Sequence, residues 1–241
     1  MQSVIESVSR EDAASVLQWW SDAGVDCLVD EAPRDWLRTA APPPPKVARV
    51  VTAPAPDLPD QLELFHRYLA ESDALPFAAP GAPRICPSGD PTSELMILTD
   101  MPTQEDCESN SLLSGQAGIL FDNMLAAIGR NRDSIYLATL SCLRPSGGRF
   151  DEAGARQCAI LARHHIGLAA PKALLVLGDS CTKALLGAGV IDARLRWHEI
   201  QTQAGQTAAI ASFHPNYLLE QQSAKRHAWA DLRMLMGRLG R

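Results

Sequence analysis

Asp100 and His214 are the two side chains of this 241-residue chain whose type and setting carry the most chemistry. Each follows a short apolar run, Leu95-Met96-Ile97-Leu98 ahead of Asp100 and Ala208-Ala209-Ile210-Ala211 ahead of His214. A carboxylate so placed can orient a water, and an imidazole can donate a hydrogen bond to a group that gains negative charge. Pro215 fixes the turn after His214 and aims the ring into a cleft. The plainer use of both residues is to cap the helices after their strands. Neither residue alone identifies a reaction.

Four apolar runs must position these groups: 95–98, 135–138, 173–177 and 208–211. Helical spacing follows each, over 115–129, 151–168, 179–187 and 223–239. Near-continuous apolar strands alternating with helices predict a parallel sheet covered on both faces, that is, a three-layer α/β/α fold. The sheet is expected to be short, mostly parallel and four-stranded. Ligands in such folds bind at the carboxyl ends of the strands. The segments there are the acidic Thr99–Asp106 loop, Thr139–Pro145 with Gly147-Gly148-Arg149, the Gly178-Asp179-Ser180 turn, and Ser212–Leu219.

Upstream, a first helix is predicted to begin near Ser9 and end at Gly24, and a second to run from about Asp60 to Asp73. Residues 40–59 include seven prolines, the composition of a semi-rigid linker that builds no core. The expected organisation is an N-terminal helical segment over 1–39, a Pro/Ala-rich linker over 40–59 and one α/β domain over 60–241. Trp19, Trp20 and Trp36 either pack on the main domain or form a docking face for a protein partner. No stretch reaches the ~18 apolar residues of a membrane span and no signal peptide is evident, so a cytoplasmic protein without membrane contact is expected.

Charge divides unevenly. Residues 1–110 carry 7 Lys+Arg against 19 Asp+Glu, a net of −12, and residues 111–241 carry 15 against 9, a net of +6. The basic C-terminal half can face phosphates although the chain as a whole is acidic. Its alternative is a pair of differently charged solvated surfaces. Six scattered cysteines with no C-x-x-C pair argue against disulfides and against a zinc ribbon.

Taken in order, the strand ends resemble the family 4 uracil-DNA glycosylases over about 150 residues from Arg84. Thr99-Asp100-Met101-Pro102-Thr103 and, without gaps, Leu112-Leu113-Ser114-Gly115-Gln116-Ala117-Gly118 are similar to G-E-x-P-G and P-F-V-G-x-A-G. The run Ile119–Gly129 resembles L-L-D-x-M-L-x-x-I-G. Tyr136-Leu137-Ala138-Thr139 with Arg144-Pro145 resembles Y-I-T-N with R-P, and Pro171-Lys172 with Leu177-Gly178 resembles the third strand. His214-Pro215-Asn216-Tyr217-Leu218-Leu219 resembles H-P-S-x-L-L, and Ala228-Trp229-Ala230-Asp231-Leu232 completes the match.

The resemblance implies a uracil-DNA glycosylase-like fold and a protein that excises uracil or a related base from DNA in base-excision repair. Asp100 and His214 would be catalytic. Met101, Pro102, Leu113 and Thr139 would bind the base, and Arg144, Arg149, Asn216, Lys225 and Arg226 would contact phosphates. DNA, single-stranded or with a flipped base, would be the partner.

Departures from the pattern point to the alternative, an inactive homologue that serves as a DNA- or protein-binding module. Asp100 replaces a glutamate, and Met101 and Thr103 replace small residues. Leu113 replaces the phenylalanine on which the base stacks, and Thr139 replaces the asparagine that reads its edge. The family's four-cysteine iron-sulfur site is expected to be lost. Its first pair falls near Asp73–Phe77, where no cysteine stands. Leu143 occupies the third ligand's place with Cys142 one position early, and only Cys158 matches well.

Overall fold

A computed structural model describes residues 10–22 and 58–240. The chain divides into two units, Met1–Pro54 and Ala55–Arg241. Within the first unit, helix α1 spans Arg10–Asp22 and carries Val16, Trp19 and Trp20 exposed. Trp36, the predicted helix end at Gly24 and the Pro/Ala-rich segment up to residue 57 lie outside the described residues.

The second unit is built on one sheet of six strands: β1 (Ser88–Gly89), β2 (Leu95–Thr99), β3 (Tyr136–Thr139), β4 (Ala173–Leu177), β5 (His198–Thr202) and β6 (Gly205–Ser212). Their spatial order is β1-β3-β2-β4-β6-β5. The four strands expected from the sequence are β2, β3, β4 and β6, and they are mutually parallel. The sheet is larger than expected by two antiparallel edge strands, β1 on β3 and β5 on β6. Both edges are faint in the sequence for physical reasons. Strand β1 is two residues long, and β5 buries only Ile200 along its length.

Strands β2 and β4 are buried at every residue because helices cover both faces. On one face Ile97, Leu175 and Ile210 pack with Phe121 and Leu125 of α4 (Gly115–Ala127) and with Leu232 and Leu235 of α9 (Lys225–Leu239). On the other, Met96, Leu98 and Val176 meet Cys158 and Ile166 of α5 (Glu152–Ala169) and Cys181 and Leu185 of α6 (Asp179–Leu186). Each such buried Leu, Ile or Val side chain contributes about 1.5–3 kcal/mol. The period-2 alternation of side chains is what divides one strand's residues between two cores.

Three shorter helices lie near the strand ends and loops of the unit: α3 (Gln104–Ser109), α7 (Val190–Ala193) and α8 (Pro215–Glu220). Helix α2 (Leu62–Glu71) docks through Phe65 and Leu69 and through the Tyr136 hydroxyl, which lies 2.5 Å from the imidazoles of both His66 and His165. Burial drives the His165 pKa down to about 3 and also lowers that of His66, against an upward pull from Glu63. Among the described residues no helix is long and apolar enough to cross a membrane.

From β2 the chain moves to β3 on one side and then crosses back to β4 on the other. The carboxyl ends of β2 and β4 therefore flank a topological switch point, with the end of β6 next in line.

Candidate active site

Asp100 directly follows β2. Its Oδ1 accepts a 2.6 Å hydrogen bond from the Cys181 amide, and the Ser180 amide also donates to the carboxylate. The capping reading is thus half right. Asp100 caps a helix, but α6 after β4 rather than the one after its own strand. The neighbouring Gly178 has φ of 107°, and a Cβ built there would lie 2.5 Å from Asp100 Oδ2. Only glycine tolerates both that conformation and that approach. Burial pushes the Asp100 pKa up, Asp179 nearby adds to the rise, and the donated hydrogen bonds oppose it, leaving it at about 6.

His214 joins β6 to α8. Its Nδ1 accepts from the Asn216 amide at 3.1 Å, so the neutral ring carries its proton on Nε2. Pro215, at the first helical position, has no N–H to leave unpaired and fixes the entry angle. Burial lowers the His214 pKa to about 4, against a weaker pull upward from the Asp106 carboxylate. At neutral pH the ring is therefore an uncharged hydrogen-bond donor through Nε2.

The segment carrying His214 is fixed from below. Asp231 of α9, 0% exposed, receives Arg194 Nε at 2.9 Å and Nη2 at 3.0 Å, and the Ser212 hydroxyl at 2.8 Å. The same guanidinium lies 4.7 Å from the centre of the Phe213 ring, which stacks on Tyr217 at 5.0 Å.

Asp106 does comparable work for the first loop. Its carboxylate accepts from the Thr103 amide at 2.9 Å and from both the amide and the hydroxyl of Ser114 at 2.7 Å. Burial works against its ionisation, yet those donors hold its pKa below the usual carboxylate range. The loop after β2 is thereby tied to the 112–118 segment, and Arg132 fastens that segment through the carbonyls of Leu112 and Leu113, each at 2.7 Å. Sequence reasoning passed over Asp106, although Thr103-x-x-Asp106 is a legible capping box.

These elements enclose a cleft of about 530 Å³ lined by Asp100, Gly178, Phe213, His214, Asn216 and Tyr217 among others. A second cavity of about 260 Å³ adjoins it, sharing His214 and Asn216 and walled by Glu105, Asp106, Leu113 and Ser114. Asp100 and His214 are thus brought together, Asn216 stands beside them, and Leu113 reaches the adjoining space.

Other expected site residues fall elsewhere. Thr139 opens onto a separate cavity with Ser141, Cys142 and Cys158, because β3 lies on the far side of β2 from β4 and β6. Met101 is half-buried and Pro102 buried, and the Pro102 carbonyl accepts from Arg144 Nη1 at 2.9 Å. Arg144 therefore clamps the first loop. Arg149, Lys225 and Arg226 are exposed, and Lys225 borders a groove between α4 and α9 with Trp229.

The cysteine region does not fit a four-thiolate cluster. Cys142 Sγ donates to the Leu69 carbonyl at 3.7 Å, and Leu143 is buried in an apolar cluster with Phe65 and Leu75. Burial pushes the Cys142 thiol up to about 11 and the Cys158 thiol up to about 12, the latter against a hydrogen bond with Ser141. Protonated thiols in an apolar pocket are poor ligands. Among the described residues no three His, Cys, Asp or Glu side chains converge as a metal site.

A model of the uracil DNA glycosylase superfamily matches residues 86–233, more than half of the chain. The matched span contains β2, β3, β4 and β6 and both residues of the Asp100 and His214 pair.

The buried Asp231 carboxylate supplies the first test. Asp231→Ala leaves Arg194 without its counter-charge and is expected to lower unfolding free energy by about 3–5 kcal/mol, read by urea denaturation. The paired replacement of Asp231 and Arg194 by apolar residues of similar size is expected to cost less than the single change.

Proposed function

Because the chain belongs to the uracil-DNA glycosylase superfamily, we propose that it is a DNA N-glycosylase of the family 4 type, releasing uracil or a related base from DNA in base-excision repair. The observation that carries this reading is the single cleft holding a carboxylate and a neutral imidazole donor at the carboxyl ends of β2 and β6, the parallel strands on either side of β4. A base extruded from the strand exposes its sugar C1′ to that cleft.

In the proposed reaction the bond between C1′ and the base nitrogen breaks, and its electron pair leaves with the base. His214 Nε2–H donates to the base oxygen on which negative charge develops, a stabilisation that typically contributes several kcal/mol. Asp100 orients a water toward the oxocarbenium-like sugar and takes its proton as the C1′–O bond forms. The proton passes to solvent and the departing base anion is protonated in turn. Met101 and Pro102 stand at the family's base-bordering positions in the loop after β2, and Leu113 lines the adjoining cavity. Thr139 stands for the family's reading amide but would need a change in the loop after β3 to reach the base. No iron-sulfur cluster takes part, since the thiol region described above suits packing better than ligation. We place the reaction in the cytoplasm, on single-stranded or locally opened DNA.

A second reading, a module that binds DNA or protein without chemistry, is favoured by one observation: the Asp100 carboxylate is already engaged by the α6 amides. Release of uracil from a single-stranded oligonucleotide, compared with binding of the same oligonucleotide, separates the two. Release that falls roughly 10²-fold or more in His214→Ala supports the glycosylase. Binding without release, or an unchanged rate in His214→Ala, contradicts it.

Phosphate contacts are assigned to Arg149, Lys225 and Arg226, all exposed, and to Arg144, which is held on the Pro102 carbonyl of the first loop. Replacing Lys225 and Arg226 together by alanine is expected to weaken single-stranded DNA binding and flatten its salt dependence by roughly one to two phosphate contacts. Identical salt titrations for parent and variant would make that patch a solvated surface.

A further inference from the structure

Two compartments meet at His214 and Asn216, and they differ in what they offer a planar base. The smaller, on the Leu113 side, is bordered by the Glu105 and Asp106 carboxylates and by an aliphatic side chain only 2% exposed. Among the described residues its lining holds no phenylalanine, tyrosine or tryptophan. The larger, on the Asp100 side, is walled by the stacked pair of Phe213 and Tyr217, whose planes lie 24° apart. Phe213 is braced from behind by Arg194, itself fixed by Asp231, and Tyr217 is 43% exposed. Asn216 borders both compartments, and its side-chain amide makes no hydrogen bond among the described residues, so a paired donor and acceptor are free beside His214.

We propose that Tyr217 is the stacking platform and Asn216 the edge-reading amide for the substrate base, taken on the Asp100 side of His214, so that both functions have moved from the loops after β2 and β3 to the first turn of α8. This assignment rests on the glycosylase reading and specifies where in the cleft it acts. The move explains how a chain with Leu113 and Thr139 keeps a base-binding site. A stack on an aromatic ring tolerates any base, whereas the amide, being directional, sets which edge is accepted. It also places the base on the same side as Asp100, where a water for C1′ is needed.

The test uses the full chain and two single-stranded oligonucleotides, one with a single deoxyuridine and one with a tetrahydrofuran abasic analogue at that position. The parent is expected to prefer the deoxyuridine strand and to release uracil from it. Tyr217→Ala should lose about 10-fold or more of that preference, the scale of one base–aromatic stack. Tyr217→Phe should keep it, and Trp229→Ala, an exposed aromatic outside the cleft, should match the parent. Asn216→Ala should slow uracil release more than it weakens binding of the abasic strand. Tyr217 is exposed, so its variants are expected to fold, and unfolding curves for each check this. If the parent releases uracil and Tyr217→Ala keeps the full preference, the platform assignment falls while the glycosylase reading stands. If the parent neither prefers deoxyuridine nor releases uracil, both fall.

Discussion

The hydrogen bonds from the first amides of α6 to the Asp100 carboxylate join the end of β2 to the end of β4, and the rest of the site is arranged around that junction. A carboxylate buried at a strand end would be costly without donors. Here the donors are orphan N–H groups of a helix start, which need acceptors themselves. The two needs are met by one contact, and it requires a glycine at 178 because nothing with a Cβ fits between turn and carboxylate. On the opposite wall, the buried Arg194–Asp231 pair does the equivalent for β6, holding Ser212 and Phe213 so that His214 faces the same space.

Burial moves the two reactive groups in opposite directions. It raises Asp100 to about 6 and lowers His214 to about 4, in each case by disfavouring the charged form. Above pH 6 the pair is a carboxylate and a neutral imidazole, the combination that a water-orienting base and a hydrogen-bond donor require. A charged histidine would donate more strongly but would carry a desolvation cost in the same cleft. Asp106 favours that charged form, and burial outweighs it.

The four parallel strands and the principal helices are legible in the sequence because strands buried on both faces read as unbroken apolar runs. Strand β5 is not. His198-Glu199-Ile200-Gln201-Thr202 buries one residue in five, and its register comes from the hairpin with β6 through the Gln203-Ala204 turn, a signal easily read as loop. Asp100 and His214 were legible as strand-end residues of chemical type. Thr139 is also a strand-end residue, but β3 lies across β2 from the other two contributors, and strand order is set by packing that no local pattern encodes. The part played by Arg144 was hidden for the same reason: its partner is a backbone carbonyl 42 residues away. Asp231 and Arg194, 37 residues apart, carry no local sign of the pairing in which the fold buries them against one another.

The central claim is that the Asp100 carboxylate orients the water that attacks C1′. The most direct measurement is the single-turnover rate of base release against pH, for the parent and for Asp100→Asn. An ionised Asp100 with a pKa near 6 requires the parent rate to rise about tenfold per pH unit below that value and to level off above it. Asp100→Asn, which has no carboxyl to ionise, should be slow and flat across the same range. A parent profile without that rise, or an Asp100→Asn variant as fast as the parent, would contradict the account.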